Sequence, residues 1–168
     1  MSNYQDRYIA HQLRKKKTLM KLMKQRHSTR VFADRKVEDS KISEIIYGLS
    51  NTPSSCDRNG IYIEQHTHRD NKALLGGLLV GGVGWIHRAP VLLLIFADPE
   101  AYKENYEPMP YLDAGVKVAY IYLLAESLGL KACYVNPNVR ESHKKYFSQH
   151  FGDSIFCGAI ALGYVKKK

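Results

Sequence analysis

The sequence predicts a single α+β domain, residues 1–168, in which a sheet lies between layers of helices. Two helical patterns precede the first strand pattern, and strand and helix patterns then alternate along the chain. The run from Pro90 to Ala97 is continuously apolar and is bounded by proline and by Asp-Pro, which is typical of a central strand. The pattern from Tyr111 to Leu128 predicts the long helix of the core, and Gly129 is expected to end it.

The N-terminal part of the chain is predicted to be helical and strongly basic. Residues 8–25 form an amphipathic pattern with a partial apolar stripe, and we regard residues 1–20 as a basic helix or arm. Arg26 to Phe32 follows as a loop or extended segment. Asp39 is the predicted N-cap of the next helix. The apolar residues of that helix recur at i, i+3, i+4 and i+7, namely Ile42, Ile45, Ile46 and Leu49.

Each later element is predicted from its periodicity and its boundaries. Alternation of apolar and polar residues predicts a half-exposed strand at Ile61 to Thr67, and a short helix follows at Arg69 to Leu79. Glu100 to Pro110 is polar and contains proline, so we expect a loop there. The predicted C-terminal elements are a strand at Lys131 to Val135, a helix capped by Asn138 that continues to Phe151, and a strand at Ile155 to Tyr164.

The net charge of +9 comes largely from three lysine clusters. They are Lys15–Lys17, Lys144–Lys145 and Lys166–Lys168. Such a surface suits nucleic acid, an acidic membrane or another polyanion, but it is also what a solvated basic surface looks like. Because no nucleic-acid-binding motif accompanies the charge, we expect solvated basic faces and no nucleic-acid partner.

Several classes of protein are disfavoured by composition. No apolar run reaches the roughly 18 residues of a membrane span, and residues 1–10 lack the apolar core of a signal peptide. Three cysteines (Cys56, Cys133 and Cys157) are too few for a disulfide framework, and the histidines form no set with metal-ligand spacing. We therefore expect a cytoplasmic protein with reduced thiols, no membrane partner and no bound metal.

Residues 26–30, Arg-His-Ser-Thr-Arg, are the most informative short segment of the chain. Two guanidinium groups flank a hydroxyl, and this set of donors suits a phosphate monoester. The alternative is that Arg26 and Arg30 form surface ion pairs with Asp34, Glu38 or Asp39.

Four segments together resemble the FMN-dependent nitroreductase family, in the family's order and over most of the chain. The segments are Arg26–Arg30, the Pro-Ser-Ser-Cys-Asp-Arg-Asn loop at Pro53–Asn59, the long helix from Asp113 that leads into Gly129-Leu130-Lys131-Ala132-Cys133, and Ala161–Tyr164. The resemblance implies a mixed or antiparallel central sheet flanked by helices. It also implies a homodimer with the long core helix at its interface and FMN bound between the subunits.

The resemblance also implies roles for individual residues. The cofactor-binding residues implied by matching position are Arg26, His27, Ser28 and Arg30 at the FMN phosphate, Pro53, Ser54, Ser55, Asp57 and Asn59 of the opposite subunit at the flavin ring, Asn136 near flavin N5, and Lys166 or Lys168 at the phosphate. As an alternative, Ser54 and Ser55 could simply form a turn after Pro53.

The implied function is an oxidoreductase in which FMN takes a hydride from NADH or NADPH and then reduces a small organic acceptor. No side chain is expected to act as a catalytic group, because the flavin carries the chemistry. Asp57 departs from the family's usual Asn, and a carboxylate only accepts hydrogen bonds whereas an amide also donates. Two alternatives stay open: a flavin-binding protein with little reductase activity or a specialised biosynthetic role, and a basic domain that binds nucleic acid or another polyanion.

Overall fold

The computed structural model describes residues 2–103 and 107–166. The helices are α1 (Ser2–Gln25), α2 (Asp39–Gly48), α3 (Arg69–Leu78), α4 (Pro99–Tyr102), α5 (Met109–Ser127) and α6 (Lys144–Phe151). The strands are β1 (Ile61–His66), β2 (Val91–Ala97), β3 (Lys131–Val135) and β4 (Ile155–Gly163). The predicted α+β class is confirmed, and so is the predicted order of helices and strands apart from the short helix α4, which the sequence does not predict.

The four strands form one antiparallel sheet in the order β1-β2-β4-β3. All seven residues of β2 are buried, so the apolar run does form a central strand as predicted. Gly158 in β4 has a φ of +122°, and a Cβ at this position would lie 2.6 Å from the ring of Tyr134 on β3. Glycine is therefore required there for β3 and Tyr134 to pack against β4.

The two faces of β2 belong to two separate parts of the core, because successive side chains of a strand point to opposite faces. Leu93 and Ile95 pack with Ile45 of α2 and Ile121 of α5. The alternate residues Leu92, Leu94 and Phe96 pack with Leu75 of α3 and Phe147 of α6. The sheet therefore lies between two helical layers, as the sequence predicts.

The end of α5 follows the prediction closely. Gly129 has a φ of +73°. The N–H of Leu130 donates to the carbonyl of Ala125 at 2.8 Å, and the N–H of Gly129 donates to that of Glu126 at 3.2 Å. This pair of bonds is a Schellman motif, and glycine supplies the left-handed backbone that it needs.

Three local predictions are wrong. Asp39 is the first residue of α2 rather than its N-cap, because Glu38 occupies the cap position without a side-chain hydrogen bond. Asn138 does not cap α6, which begins at Lys144 after a 3₁₀ turn. The predicted loop from Glu100 to Pro110 begins inside α4, where Asp98 caps the helix by accepting from the N–H of Glu100, and it ends inside α5; residues 104–106 lie outside the described part of the chain.

The long core helix buries a different face from the one that its apolar pattern indicates. The pattern groups Val116, Ala119, Tyr120, Leu123 and Leu124, but these residues are half-buried or exposed. The positions that face the core are instead Pro110, Asp113, Ala114, Lys117, Ile121 and Ala125. One protomer therefore leaves an apolar face of α5 partly uncovered while it buries two charged side chains.

The Glu38 carboxylate gives the fold a dependence on pH. The hydroxyl of Tyr164 donates to it, and with the backbone N–H of Glu38 and the nearby Arg35 this lowers the pKa of Glu38 from 4.5 to about 2. Because the folded-state pKa is below the unfolded one, the stabilisation is present above about pH 4.5 and is lost as the pH falls towards 2. We expect Glu38→Gln to lower the urea midpoint at pH 6 and to have progressively less effect below pH 4, whereas Glu44→Gln should show no such trend.

Within residues 2–103 and 107–166, none of the helices combines the length and apolar character required to cross a membrane.

Candidate functional site

The basic segment Arg26–Arg30 leaves α1 and runs beside the start of β3. Ser28 and Ala132 form a parallel β-bridge, and the N–H of Thr29 donates to the carbonyl of Ala132 at 3.0 Å. Thr29 is buried, whereas its neighbours Ser28 and Arg30 are exposed. The backbone of β3 therefore fixes the segment and leaves its polar side chains accessible.

Tyr122 of α5 orients the Ser28 hydroxyl. Its own hydroxyl receives the backbone N–H of Tyr134 at 2.8 Å and lies 3.0 Å from Oγ of Ser28. Because an N–H can only donate, the phenolic proton of Tyr122 is free to be donated to Ser28. The Ser28 proton is then left to be donated to another acceptor. The guanidinium of Arg26 lies 5.2 Å from the centre of the Tyr122 ring, within the range of a cation–π contact.

The two arginines of this segment keep their charge available for a ligand. In the part of the chain that the structure describes, neither Arg26 nor Arg30 forms an ion pair. The acids proposed as their alternative partners are bound elsewhere: Glu38 pairs with Arg35 at 2.9 Å, and Asp39 pairs with Lys36 at 3.1 Å. The ion-pair interpretation therefore finds no support for Glu38 or Asp39.

Contacts through Trp85 and Gly81 link Arg30 to Asn136, the residue that follows β3. The guanidinium of Arg30 lies 5.8 Å from the centre of the Trp85 ring, and the indole N–H of Trp85 donates to the carbonyl of Gly81 at 2.9 Å. A Cβ at Gly81 would lie 3.7 Å from Oδ1 of Asn136. The structure thus brings Asn136 to the same side of the molecule as the basic segment.

Two other predicted residues are also exposed, and a third lies outside the described residues. His27 is exposed and its Nδ1 lies 3.0 Å from the carbonyl of Gln25, so it helps to end α1. Lys166 is exposed, and Lys168 lies outside the described residues.

The loop Pro53–Asn59 is anchored to the buried carboxylate of Asp113. The backbone N–H of Ser55 lies 3.0 Å from both carboxylate oxygens, and the Ser55 hydroxyl donates to one of them at 3.2 Å. The phenol of Tyr102 donates to the second oxygen at 2.8 Å. Burial and this interaction with Asp113 raise the pKa of Tyr102. Asp113 is only 5% exposed, and these protein donors bind both oxygens of its carboxylate in place of bulk water.

Lys117, one helical turn after Asp113, binds the segment that precedes the loop Pro53–Asn59. Its ammonium donates to the carbonyl of Leu49 at 3.1 Å and to the hydroxyl of Thr52 at 2.9 Å. Burial lowers the pKa of Lys117, and the negative charge of Asp113 partly offsets this effect. Two charged residues of α5 therefore fix the chain between Leu49 and Ser55.

The tip of the loop has an unusual backbone conformation. Cys56, Asp57 and Asn59 have φ values of +49°, +55° and +53°, which non-glycine residues adopt at a cost in free energy. The side-chain amide of Asn59 donates to Oδ1 of Asp57 at 2.9 Å, and Oγ of Ser54 accepts from the N–H of Asn59 at 2.9 Å. Ser54 therefore does serve as a turn former, whereas Ser55 binds α5.

The basic segment and this loop lie on opposite faces of α5 in one protomer. Tyr122 follows Asp113 by nine residues, which is about two and a half turns, or roughly 14 Å along the helix axis. The segment contacts Tyr122, and the loop contacts Asp113. Because α5 lies between them, a single protomer does not direct both sets of side chains at one small ligand.

Four residues that organise this region are not predicted from the sequence: Trp85, Asp113 as an anchor, Lys117 and Tyr122. A signal was present for two of them, because Asp113 and Lys117 are charged residues spaced i, i+4 in an otherwise apolar helix. Trp85 and Tyr122 carry no such signal, since aromatic residues are common in cores.

Comparison with known proteins supports the same fold and identifies a family. The model of the nitroreductase family matches residues 63–164, well over half of the chain. No curated protein matches the chain. A solved structure from Parabacteroides distasonis ATCC 8503 superposes with a TM-score of 0.78 and 22% identity, covering 89% of this chain and 88% of that chain.

Two further solved structures have similar agreement. An FMN-dependent nitroreductase from Clostridium difficile R20291 gives a TM-score of 0.75 at 24% identity, covering 88% of this chain and 87% of that chain. A protein from Desulfovibrio desulfuricans, solved in complex with FMN, gives 0.77 at 23% identity, covering 89% and 87%. At sequence identities below 25%, the structural similarity to these proteins establishes the fold alone.

The family match begins at Ile63, so the basic segment and the loop Pro53–Asn59 lie before it. The matched region contains β2, α5, β3, β4 and the last four of the six residues of β1. These elements form the sheet and the helix that connects both candidate halves of the site. With the match spanning well over half of its residues, the chain belongs to the nitroreductase family.

Proposed function

We propose that this protein is an FMN-dependent oxidoreductase of the nitroreductase type that acts as a homodimer. Three lines of reasoning support the proposal: the family, the chemistry of the donors in the basic segment, and the division of the candidate site between the two faces of α5. The division of the site supports the homodimer in particular, because a second copy of the chain would bring the missing half of the site to the same ligand.

The donors of the basic segment fit the phosphate of FMN. Arg26 and Arg30 offer guanidinium groups that are free of ion pairs among the described residues, and Ser28 offers a hydroxyl whose proton Tyr122 leaves available. Guanidinium and hydroxyl groups are donors that commonly bind a phosphate dianion. His27, Lys166 and Lys168 remain candidates that would add positive charge nearby.

The loop Pro53–Asn59 of the second copy would line the flavin ring. Its backbone is fixed through Ser55 and Asp113, so Pro53, Ser54 and the carboxylate of Asp57 would be presented on a rigid support. Asn136, at the end of β3, would contribute from the copy that holds the phosphate.

Bound FMN would supply the redox chemistry, taking a hydride from NADH or NADPH and delivering electrons to a small organic acceptor. The protein's contribution would be to bind and orient. The two arginines would fix one end of the cofactor, and the loop would exclude water from the other.

An absorbance spectrum of the freshly purified protein tests cofactor binding. We expect the visible bands of flavin at close to one FMN per chain, and anaerobic bleaching of these bands on addition of NADH or NADPH. A colourless protein that does not take up added FMN would contradict the proposal.

One observation favours a second candidate, a flavin-binding protein with little turnover. Asp57 places an ionised carboxylate, held by Asn59 at 2.9 Å, in the loop expected at the flavin ring. A negative charge there would oppose the gain of electrons by the ring. A yellow protein that neither nucleotide bleaches would indicate this candidate, and Asp57→Asn should then increase the rate of reduction.

The role of Tyr122 gives a sharper prediction about the phosphate. We expect Tyr122→Phe to raise the dissociation constant of FMN about 3- to 10-fold, because Ser28 loses the partner that orients it. Binding of riboflavin, which lacks the phosphate, should be unchanged. Tyr120→Phe, on an exposed position of the same helix, is the matched control, and fluorescence titration with both flavins is the measurement. Equal weakening of FMN and riboflavin by Tyr122→Phe would argue against this role.

A further inference from the structure

A cavity of about 400 Å³, which we call the Lys117 cavity, lies between α2, β1 and α5. Pockets that bind small organic molecules usually enclose roughly 300–1,000 Å³. Four aliphatic residues contribute to the wall of this cavity: Ile46, Leu49, Ile61 and Ile63. Ile46 is exposed, so the cavity has an apolar rim at the protein surface. These walls suit the apolar part of a small ligand.

Lys117 is the charged residue of the cavity wall, and it is only 7% exposed. An ammonium has three N–H donors, and that of Lys117 donates to two neutral acceptors, the carbonyl of Leu49 and the hydroxyl of Thr52. In the part of the chain that the structure describes, Lys117 forms no ion pair. A buried ammonium without a bonded counter-ion is unfavourable, so one carboxylate in the cavity would be stabilising there.

The carboxylate of Asp113 does not take this place, although it lies one helical turn before Lys117. Its two oxygens are bound by Ser55 and Tyr102, and Asp113 does not line the cavity. None of the described residues that line the cavity is acidic. The cavity therefore offers a ligand one positive charge and no negative charge.

The other polar side chains of the cavity wall already donate to the protein. The hydroxyls of Ser50 and Tyr62 each donate to another residue, and the side-chain amide of Asn59 donates to the carboxylate and to the carbonyl of Asp57. Lys117 is therefore the donor that is left for a ligand.

We propose that the Lys117 cavity binds a small monocarboxylate with an apolar body. The carboxylate would accept a hydrogen bond from the ammonium of Lys117, and the apolar body would lie against Ile46 and Ile63. One ammonium suits a single negative charge, whereas a phosphate dianion is normally bound by several charged donors. The inference is independent of flavin binding, because neither Arg26 nor Arg30 lines this cavity.

Calorimetric titration of the full-length protein, with the flavin that it retains on purification, tests the inference with octanoate as the probe. We expect about one octanoate per chain with a dissociation constant in the millimolar range or below. Octan-1-ol has the same apolar chain without the charge and should bind at least about tenfold more weakly, because it cannot form the charge-assisted bond.

Two lysine variants identify the ammonium that binds the carboxylate. Lys117→Met removes it and should weaken octanoate binding at least about tenfold. Lys41→Met is the matched control, because the ammonium of Lys41 also donates to one carbonyl and one hydroxyl but does not line the cavity. Octanoate affinity of this control should stay within about twofold of the unchanged protein.

A second pair of variants keeps the ammonium and changes the space instead. Ile46→Trp adds volume at the rim of the cavity and should weaken octanoate binding at least about fivefold. Tyr47→Trp, at the next residue of α2, does not alter the cavity wall and should have little effect. Circular dichroism verifies that each variant is folded, and this pair decides the question if Lys117→Met does not fold.

The outcomes distinguish this inference from the proposed function. If octanoate does not bind, or binds equally well to the folded Lys117→Met and Ile46→Trp variants, the inference is overturned. Binding that requires FMN and persists in both variants would assign octanoate to the acceptor position at the flavin, and would also overturn it. A protein that takes up no FMN but binds octanoate through Lys117 would contradict the proposed function and support the cavity as a binding site.

Discussion

Replacing Arg26 and Arg30 together with alanine is expected to abolish the retention of FMN during purification. Hydrogen bonds to charged groups contribute about 1.5–3 kcal/mol each, so losing two should raise the dissociation constant on the order of 10²- to 10⁴-fold. The arginines contact aromatic rings rather than carboxylates, so their removal leaves no acid unpaired in the described part of the chain. The measurement is equilibrium dialysis of the apoprotein with FMN.

Two controls identify the phosphate as the group that is lost. Riboflavin should bind the variant and the unchanged protein with similar affinity, because it has no phosphate. Arg7→Ala with Arg14→Ala removes the same net charge from the exposed basic face of α1, and FMN affinity should change less than about threefold. Stoichiometric FMN in the Arg26/Arg30 variant would show that other groups hold the phosphate.

Each element of the fold that could be predicted from the sequence is determined by one strong local effect. The strand β2 is apolar along its whole length because both of its faces are covered, and such a run has few alternative structures. Gly129 ends α5 because the motif there requires a left-handed residue. Asp98, by contrast, starts α4 inside what the sequence suggests is a loop. A cap followed by proline can begin a helix of one turn, and periodicity does not detect an element so short.

The candidate site likewise contains residues that could be predicted from the sequence and residues that could not. The basic segment could be recognised because its residues are adjacent in sequence and share one chemical purpose. The anchors Asp113 and Tyr122 act on residues 58 and 94 positions away, and long-range contacts of this kind leave no local pattern. The apolar pattern of α5 does not reveal which face meets the core, because such a pattern does not show that a charged side chain of this helix is buried. Asp113 points to the core, since Ser55 and Tyr102 satisfy its carboxylate.

The same anchor gives the second large effect, because Asp113→Ala should destabilise the protein and loosen the loop Pro53–Asn59. The substitution leaves the N–H of Ser55 and the hydroxyl of Tyr102 without their acceptor. Each buried donor that loses its partner costs about 1–3 kcal/mol, so we expect the free energy of unfolding to fall by about 2–5 kcal/mol. Asp113→Asn retains one acceptor oxygen and should lose about half as much. Urea unfolding of the apoprotein at a fixed protomer concentration is the measurement, because dimerisation makes stability depend on concentration.

A comparison with Lys117→Met distinguishes loosening of the loop Pro53–Asn59 from a general loss of stability. That variant removes the ammonium that binds Leu49 and Thr52 but leaves the bond between Asp113 and Ser55 in place. Because Ser55 begins the turn that presents Asp57 and Asn59, Asp113→Ala should weaken the binding of riboflavin as well as FMN, unlike the Arg26/Arg30 variant. Hydrogen exchange at the N–H of Ser55 should accelerate in Asp113→Ala and stay slow in Lys117→Met. If the unfolding free energy of Asp113→Ala stays within about 0.5 kcal/mol of the unchanged protein, the buried carboxylate does not anchor the loop.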